Sequence, residues 1–185
     1  SAALMKMVRD LYLSNRLFWV TGFIVVAFVI TFVLGGGYLI PKILFFIFLA
    51  AQLTDLILLF RVKRGLSGKR ISADKLSNGD ENEISVYLEN FYTFKTEVRV
   101  IDEIPHQFQR RDLEFNLTLD PGESKVIRYH LRPVKRGEYS FGSVNALLST
   151  PLKLFSRRFR FSADKLVPVY PSYIQMRKYE LMAIS

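Results

Sequence analysis

The sequence contains no cysteine, which excludes disulfides and thiolate-held metals. Its two histidines, His106 and His130, stand too far apart to suggest a histidine-based metal cluster. No P-loop, Rossmann glycine pattern, zinc spacing or Ser-His-Asp arrangement occurs. Asp102 and Glu103 are neighbours, so on a strand they point to opposite faces and form no carboxylate pair. His106 follows Pro105 in an expected loop, and His130 shares a strand face with Arg128, so both read as solvated. The expectation is a non-enzyme with no cofactor and no metal.

Charge is missing from one long region. Residues 17–60 carry only Lys42 and Asp55. Within them, Leu17–Leu34 is an uncharged apolar run of 18 residues, and Tyr38–Phe60 is a second such run. At about 1.5 Å rise per residue, each helix covers most of a ~30 Å hydrocarbon core. Gly35, Gly36 and Gly37 separate the runs and predict a tight reversal. Pro41 falls in the first turn of the second helix, where proline is tolerated. The alternative is a helical hairpin buried in a soluble protein, but the rest of the chain offers little to cover two helices apolar all round.

Basic residues flank the outer ends of the hairpin: Lys6, Arg9 and Arg16 before it, and Arg61, Lys63, Arg64, Lys69 and Arg70 after it. An excess of Lys and Arg marks cytoplasmic flanks. The hairpin is therefore expected to cross the membrane twice, with both termini cytoplasmic. Asp55 lies inside the cytoplasmic end of the second span, where an ionisable group is a functional candidate. The plainer reading, and the favoured one, pairs it with Arg16 at the same end of the antiparallel first helix.

From Ile71 onward the pattern changes to short alternating runs and turn signals. Leu113, Phe115, Leu117 and Leu119 alternate with polar residues, Asp120-Pro121-Gly122-Glu123 makes a turn, and Ile127, Tyr129 and Leu131 alternate again. This predicts a hairpin, and "NEISVYLENF" with "KTEVRVIDEIP" predicts another. "RRFRFSA" and "DKLVPVYP" supply two more strands. Seven or eight short strands without a convincing helix predict an all-β antiparallel sandwich of immunoglobulin-like type. Between Glu138 and Leu148 the apolar phase slips, from Tyr139 and Phe141 to Val144, Ala146 and Leu148. One strand bulged at Gly142 would absorb that slip.

The net charge of +9 is concentrated. Arg61, Lys63, Arg64, Lys69 and Arg70 form a basic stretch directly after the second span and are candidates to contact anionic lipid. With no reading helix or RNA-type aromatic motif, nucleic acid is not an expected partner. Leu152, Lys153, Leu154, Phe155, Arg157 and Arg158 place apolar groups beside cations, the composition of a protein-docking patch. The same apolar groups could instead plug the open end of the sandwich.

"RPVKRGEYSFGSV", "STPLKLFSRRFRF" and "VPVYPSYIQMRKYELMA", in that order after a two-helix hairpin, resemble the bacterial domain of unknown function (DUF) 58 family over essentially the whole chain. The resemblance implies a membrane-anchored amino-terminal half in the bacterial inner (cytoplasmic) membrane, usually followed by a von Willebrand factor A-like domain. It also implies association with MoxR-type AAA+ ATPases. No Asp-x-Ser-x-Ser metal motif occurs in the 185 residues, so either the A-like domain follows Ser185 or the chain is a natural short form.

The expected organisation is a cytoplasmic segment 1–16, a transmembrane hairpin 17–60, a basic juxtamembrane linker 61–70, a sandwich 71–172 and a C-terminal segment 173–185 leading to the A-like domain. The expected function is a non-catalytic membrane scaffold whose sandwich docks a protein, either a MoxR-type ATPase or the chain's own A-like domain. The alternative is an oligomeric envelope or transport component acting through the hairpin. Two helices cannot enclose a pore, so that alternative requires a homo-oligomer.

Overall fold

A computed structural model describes residues 2–109, 113–161 and 165–171; the expected segment 173–185 lies outside the described residues. The chain opens with helix α1 (Ala2–Asp10) and a short strand β1 (Leu11–Leu13), then enters helix α2 (Asn15–Val33) and helix α3 (Leu39–Arg61). Ser14 caps α2, its hydroxyl accepting from the Arg16 N–H at 3.2 Å. At the far end, Gly35 adopts φ +64° and the Gly36 N–H returns to the Thr31 carbonyl at 3.0 Å, closing the helix as a left-handed glycine does. The expected reversal at Gly35–Gly37 is found there, and both helices lie within two residues of the expected spans.

Both helices are long and apolar enough to cross a membrane. They are not core helices: Trp19, Phe46 and Ile57 are 81%, 63% and 62% exposed. The exceptions on α3 are Pro41, Asp55 and Leu59, which are buried.

The sandwich consists of β2 (Leu66–Ser72), β3 (Leu76–Ser77), β4 (Asn82–Asn90), β5 (Thr96–Asp102), β6 (Leu113–Leu119), β7 (Ser124–Leu131), β8 (Gly137–Phe141), β9 (Val144–Ser149), β10 (Phe155–Phe161) and β11 (Lys165–Tyr170). One sheet runs β1-β10-β9-β5-β6; two three-stranded sheets run β2-β4-β7 and β3-β11-β8. All pairings are antiparallel except that of β3 with β11. Alternate residues such as Ile84, Val86 and Leu88 on β4, and Val98 and Val100 on β5, meet in one core. This is an all-β sandwich of immunoglobulin-like architecture following two apolar helices.

The strands lie where alternation predicts them, but two predicted hairpins are arches. β6 pairs with β5 and β7 with β4, so the Asp120–Glu123 turn carries the chain from one sheet to another. The turn between β4 and β5 does the same. Alternation fixes which face of a strand is buried; hairpins and arches satisfy it equally. The buried Asn90 decides in favour of arches. Its side-chain amide donates to the Phe94 carbonyl at 3.3 Å and the Asp120 carbonyl at 2.9 Å, holding the two arches side by side.

The phase slip near Gly142 is present, but it is not a bulge within one strand. β8 pairs with β11 and β9 pairs with β10 and β5, so the chain changes sheets at Gly142-Ser143. Glycine is required there by proximity: a Cβ on Gly142 would sit 2.8 Å from the Glu103 Cβ. The Gly142 N–H donates to the Glu103 carbonyl at 2.9 Å, and the Glu103 carboxylate accepts from the Ser143 N–H at 3.0 Å.

The second half of the expected linker 61–70 is part of the sandwich. β2 begins at Leu66, and a Cβ on Gly65 would run into the Tyr92 ring. Arg70 is therefore not a lipid contact. Its side chain is 4% exposed and pairs with Asp102, itself fully buried. It also donates to the Gly142 carbonyl at 2.9 Å and stacks over Phe141 at 5.2 Å.

Candidate functional site: the junction between hairpin and sandwich

Where α3 reaches the sandwich, its last two turns are bonded to strand β10 and the connector before it. Asp55 is fully buried, and its carboxylate accepts from the Thr150 hydroxyl, the Leu154 N–H at 3.0 Å and the Phe155 N–H at 2.9 Å. The connector turns to present those donors: the Lys153 N–H reaches the Thr150 carbonyl at 3.2 Å, and Lys153 takes φ +56°. A buried carboxylate with three donors is a satisfied one. Asp55 therefore does not pair with Arg16, which is exposed at the start of α2.

Arg157 supplies the second fastening. Its guanidinium donates to the Leu59 carbonyl at 2.8 Å, the Val62 carbonyl at 2.7 Å and the Lys63 carbonyl at 3.1 Å. The first two are carbonyls that the end of α3 leaves without intrahelical partners, at the pole that favours a cation. The guanidinium lies over the Phe60 and Phe159 rings at 4.9 and 4.7 Å. The Tyr92 hydroxyl donates to the Leu59 carbonyl at 2.7 Å. Burial pushes that hydroxyl above the usual tyrosine range, and the opposing pull of Arg157 is smaller, so it remains a donor.

A third fastening comes from the other end of the hairpin. The segment before α2 includes strand β1, which pairs with β10 in the register Leu11↔Arg157 to Leu13↔Phe155. The Ser14 N–H then donates to the Leu154 carbonyl at 3.0 Å. Both helix ends on this side are thus tied to one strand.

This arrangement resolves the docking patch. Leu154 and Phe155 are buried, and Arg157 is committed to the end of α3, so these three belong to the plug. Leu152 remains exposed, Lys153 pairs with Glu97, and Arg158 donates to the Tyr12 hydroxyl at 3.1 Å. Arg61, Lys63, Arg64 and Lys69 are exposed. His106 is exposed in a short 3-10 turn, and His130 lies exposed 4.0 Å from Glu83. Among the described residues, no group of three or more acidic, histidine or cysteine side chains could hold a metal.

Sequence reasoning missed the role of Arg157, though a signal existed. In "RRFRF", Arg157 shares a strand face with Phe159 and Phe161, and a cation on an apolar face requires acceptors.

Two depressions flank the junction. One, of about 560 Å³, is lined by outward residues of β5, β6 and β9 and by Ser14–Arg16. The other, of about 420 Å³, lies between the end of α1, the α3–β2 connection and β10.

No family model and no curated protein matches the chain. Among solved structures, the sandwich is similar to the CARDB domain of a Pyrococcus furiosus protein, at 19% identity and TM-score 0.37, over 57% of this chain and 87% of that one. It is also similar to a PapD-like domain of human CEP192, at 12% identity and TM-score 0.43, over 58% and 87%. A third is the C-terminal domain of wzt, at 18% identity and TM-score 0.39, over 58% and 75%. Likeness at this level carries no argument about activity.

Proposed function

We propose that the chain is a membrane-anchored adaptor: the hairpin lies in the cytoplasmic membrane, and the sandwich is held at a fixed height and angle to present a docking surface to a protein partner. The observation behind this reading is the set of donors that the β9–β10 connector gives to Asp55. A domain that only needed tethering would require a flexible linker and no such bonds. A domain joined through a buried carboxylate cannot swivel without exposing unpaired donors. Fixed orientation is useful when a particular face must meet something else. The face free to do so is the polar groove beside β6, with Arg99, Asn116 and Thr118 on it. The partner we propose is the one implied by the resemblance, a MoxR-type AAA+ ATPase.

The cysteine-free sequence makes the anchor testable. Single cysteines at Gly36 and Lys135 are expected to react with an impermeant reagent in intact cells at Gly36 only. Labelling at Lys135 would refute the topology. Co-purification from native membranes is expected to bring down an ATPase of that class and to lose it with Asn116→Arg plus Thr118→Arg. Retention by a folded double variant would move the docking face elsewhere.

A further inference from the structure

The groove between α1, the α3–β2 connection and β10 is unusual in its charge. Arg9, Lys63, Arg64, Arg157, Arg158 and Arg160 line it, with Asp10 as the one carboxylate. Asp10 sits 3.9 Å from Arg9, and Arg157 is occupied by the carbonyls at the end of α3. The other cations are not neutralised: Lys63 and Arg64 are exposed. Arg158 donates to the Tyr12 hydroxyl at 3.1 Å, and Arg160 donates through Nε to the Ser143 hydroxyl at 2.6 Å. Each retains further N–H donors. Among the described residues, no ion pair involves Lys63, Arg64, Arg158 or Arg160. Holding such cations together is unfavourable unless an anion joins them, and guanidinium groups suit the paired oxygens of a phosphate.

We infer that this groove binds the phosphodiester headgroup of an anionic lipid, a reading that rests on the membrane anchor proposed above. The groove opens beside the end of α3, which under that anchor stands at the level of the headgroups. Its 420 Å³ exceeds what a bare phosphate fills. Leu66 and Phe159 give it apolar wall, suited to the glycerol and the first methylenes. The lipid completes the junction: it neutralises charges drawn from both helix ends and from β10, and so holds hairpin and sandwich together at the membrane surface.

The test uses the full chain in phosphatidylcholine nanodiscs containing a minor fraction of brominated phosphatidylglycerol, with bound lipid counted by native mass spectrometry. Phosphatidylglycerol is expected to be retained over phosphatidylcholine. Lys63→Gln with Arg64→Gln, both exposed positions, is expected to weaken retention about fivefold per charge removed. Lys69→Gln, exposed but outside the groove, is expected to leave it unchanged. Equal retention of both lipids, or equal loss with Lys69→Gln, overturns the site while leaving the anchor standing. Displacement of the lipid by millimolar inorganic phosphate assigns the groove to free phosphate and overturns the lipid. A chain that does not enter nanodiscs refutes the anchor and the lipid together.

Discussion

Two buried carboxylates, Asp55 and Asp102, are both fully withdrawn from solvent, yet they are satisfied in different ways. Asp102 sits inside the sandwich with a full countercharge, Arg70, and also accepts from the Tyr129 hydroxyl. Burial, reinforced by the Asp102 charge, pushes the Tyr129 hydroxyl far above its ordinary range, so it acts only as a donor. Asp55 sits on a helix outside the sandwich, and its carboxylate accepts from one hydroxyl and two backbone amides at the connector. The first arrangement binds β2, β5 and β7 of one domain to each other. The second binds one unit to another. Removing a carboxylate should therefore unfold the domain in the first case and loosen a seam in the second.

The largest effect is expected for Asp102→Ala, which strands the Arg70 guanidinium in the core at a cost of about 3 to 5 kcal/mol. Denaturant unfolding of the full chain in detergent measures it. Replacing both partners, Arg70→Met with Asp102→Leu, is expected to recover most of the loss, because no unpaired charge remains. If the double variant is as unstable as the single one, the pair matters for its shape rather than its charge.

Next is Gly142→Val. The same Arg70 donates to the Gly142 carbonyl, and the added side chain would collide with Glu103. A loss of about 1 to 3 kcal/mol is expected, as for overpacking in general. Ser140→Val, at an exposed position on β8, is expected to change little in the same unfolding experiment. Equal stability of both variants would mean that the sheet change at Gly142 tolerates a side chain.

Asp55→Ala is expected to act locally. It leaves the Leu154 and Phe155 amides without an acceptor, and opening of the connector should become easier by at least tenfold. Hydrogen exchange at those two amides reads this directly, while amides of β4 and β5 are expected to exchange as before. Faster exchange across the whole sandwich would erase the distinction between the two carboxylates.

Much of this was legible in the residues, but not all. Faces were legible: Tyr139 and Phe141 point inward, as do Val144, Ala146 and Leu148, because burial imposes a period of two on a strand. Partners were not, since Leu119 and Ile127 alternate equally well in a hairpin or an arch. Arg70 looked like one more cation in a basic run. Its phase was the available clue: it shares a face with Leu66 on β2, as Asp102 does with Val98 and Val100 on β5. Two opposite charges, each in phase with a core face, are candidates to meet. Asp55 stands out as an acid in an apolar helix, and Arg16 is the partner the sequence suggests, because side chains are what a sequence displays. Backbone amides, which every residue carries, leave no such trace.

A third carboxylate sharpens the comparison from the exposed side. Glu123 closes the Asp120–Glu123 arch by accepting from the Asp120 N–H at 2.7 Å, with Lys125 at 3.2 Å. The backbone N–H of Asp120 is the main cause that holds its carboxyl below the ordinary value of 4.5, and Lys125 adds to it. A folded-state value below the unfolded one means that protons bind more readily to the unfolded chain. The contribution is therefore complete above the ordinary glutamate range and is lost as pH falls through the lowered folded value. Because the group is exposed, water can replace either partner, and the effect should be the smallest of the series. Acid titration followed by NMR is expected to move the Asp120 amide resonance with a midpoint below that of an unstructured glutamate. In Glu123→Gln that titration step is expected to vanish with little change in unfolding midpoint at neutral pH. A large drop in that midpoint would show that an exposed carboxylate at an arch can matter as much as a buried one at a seam.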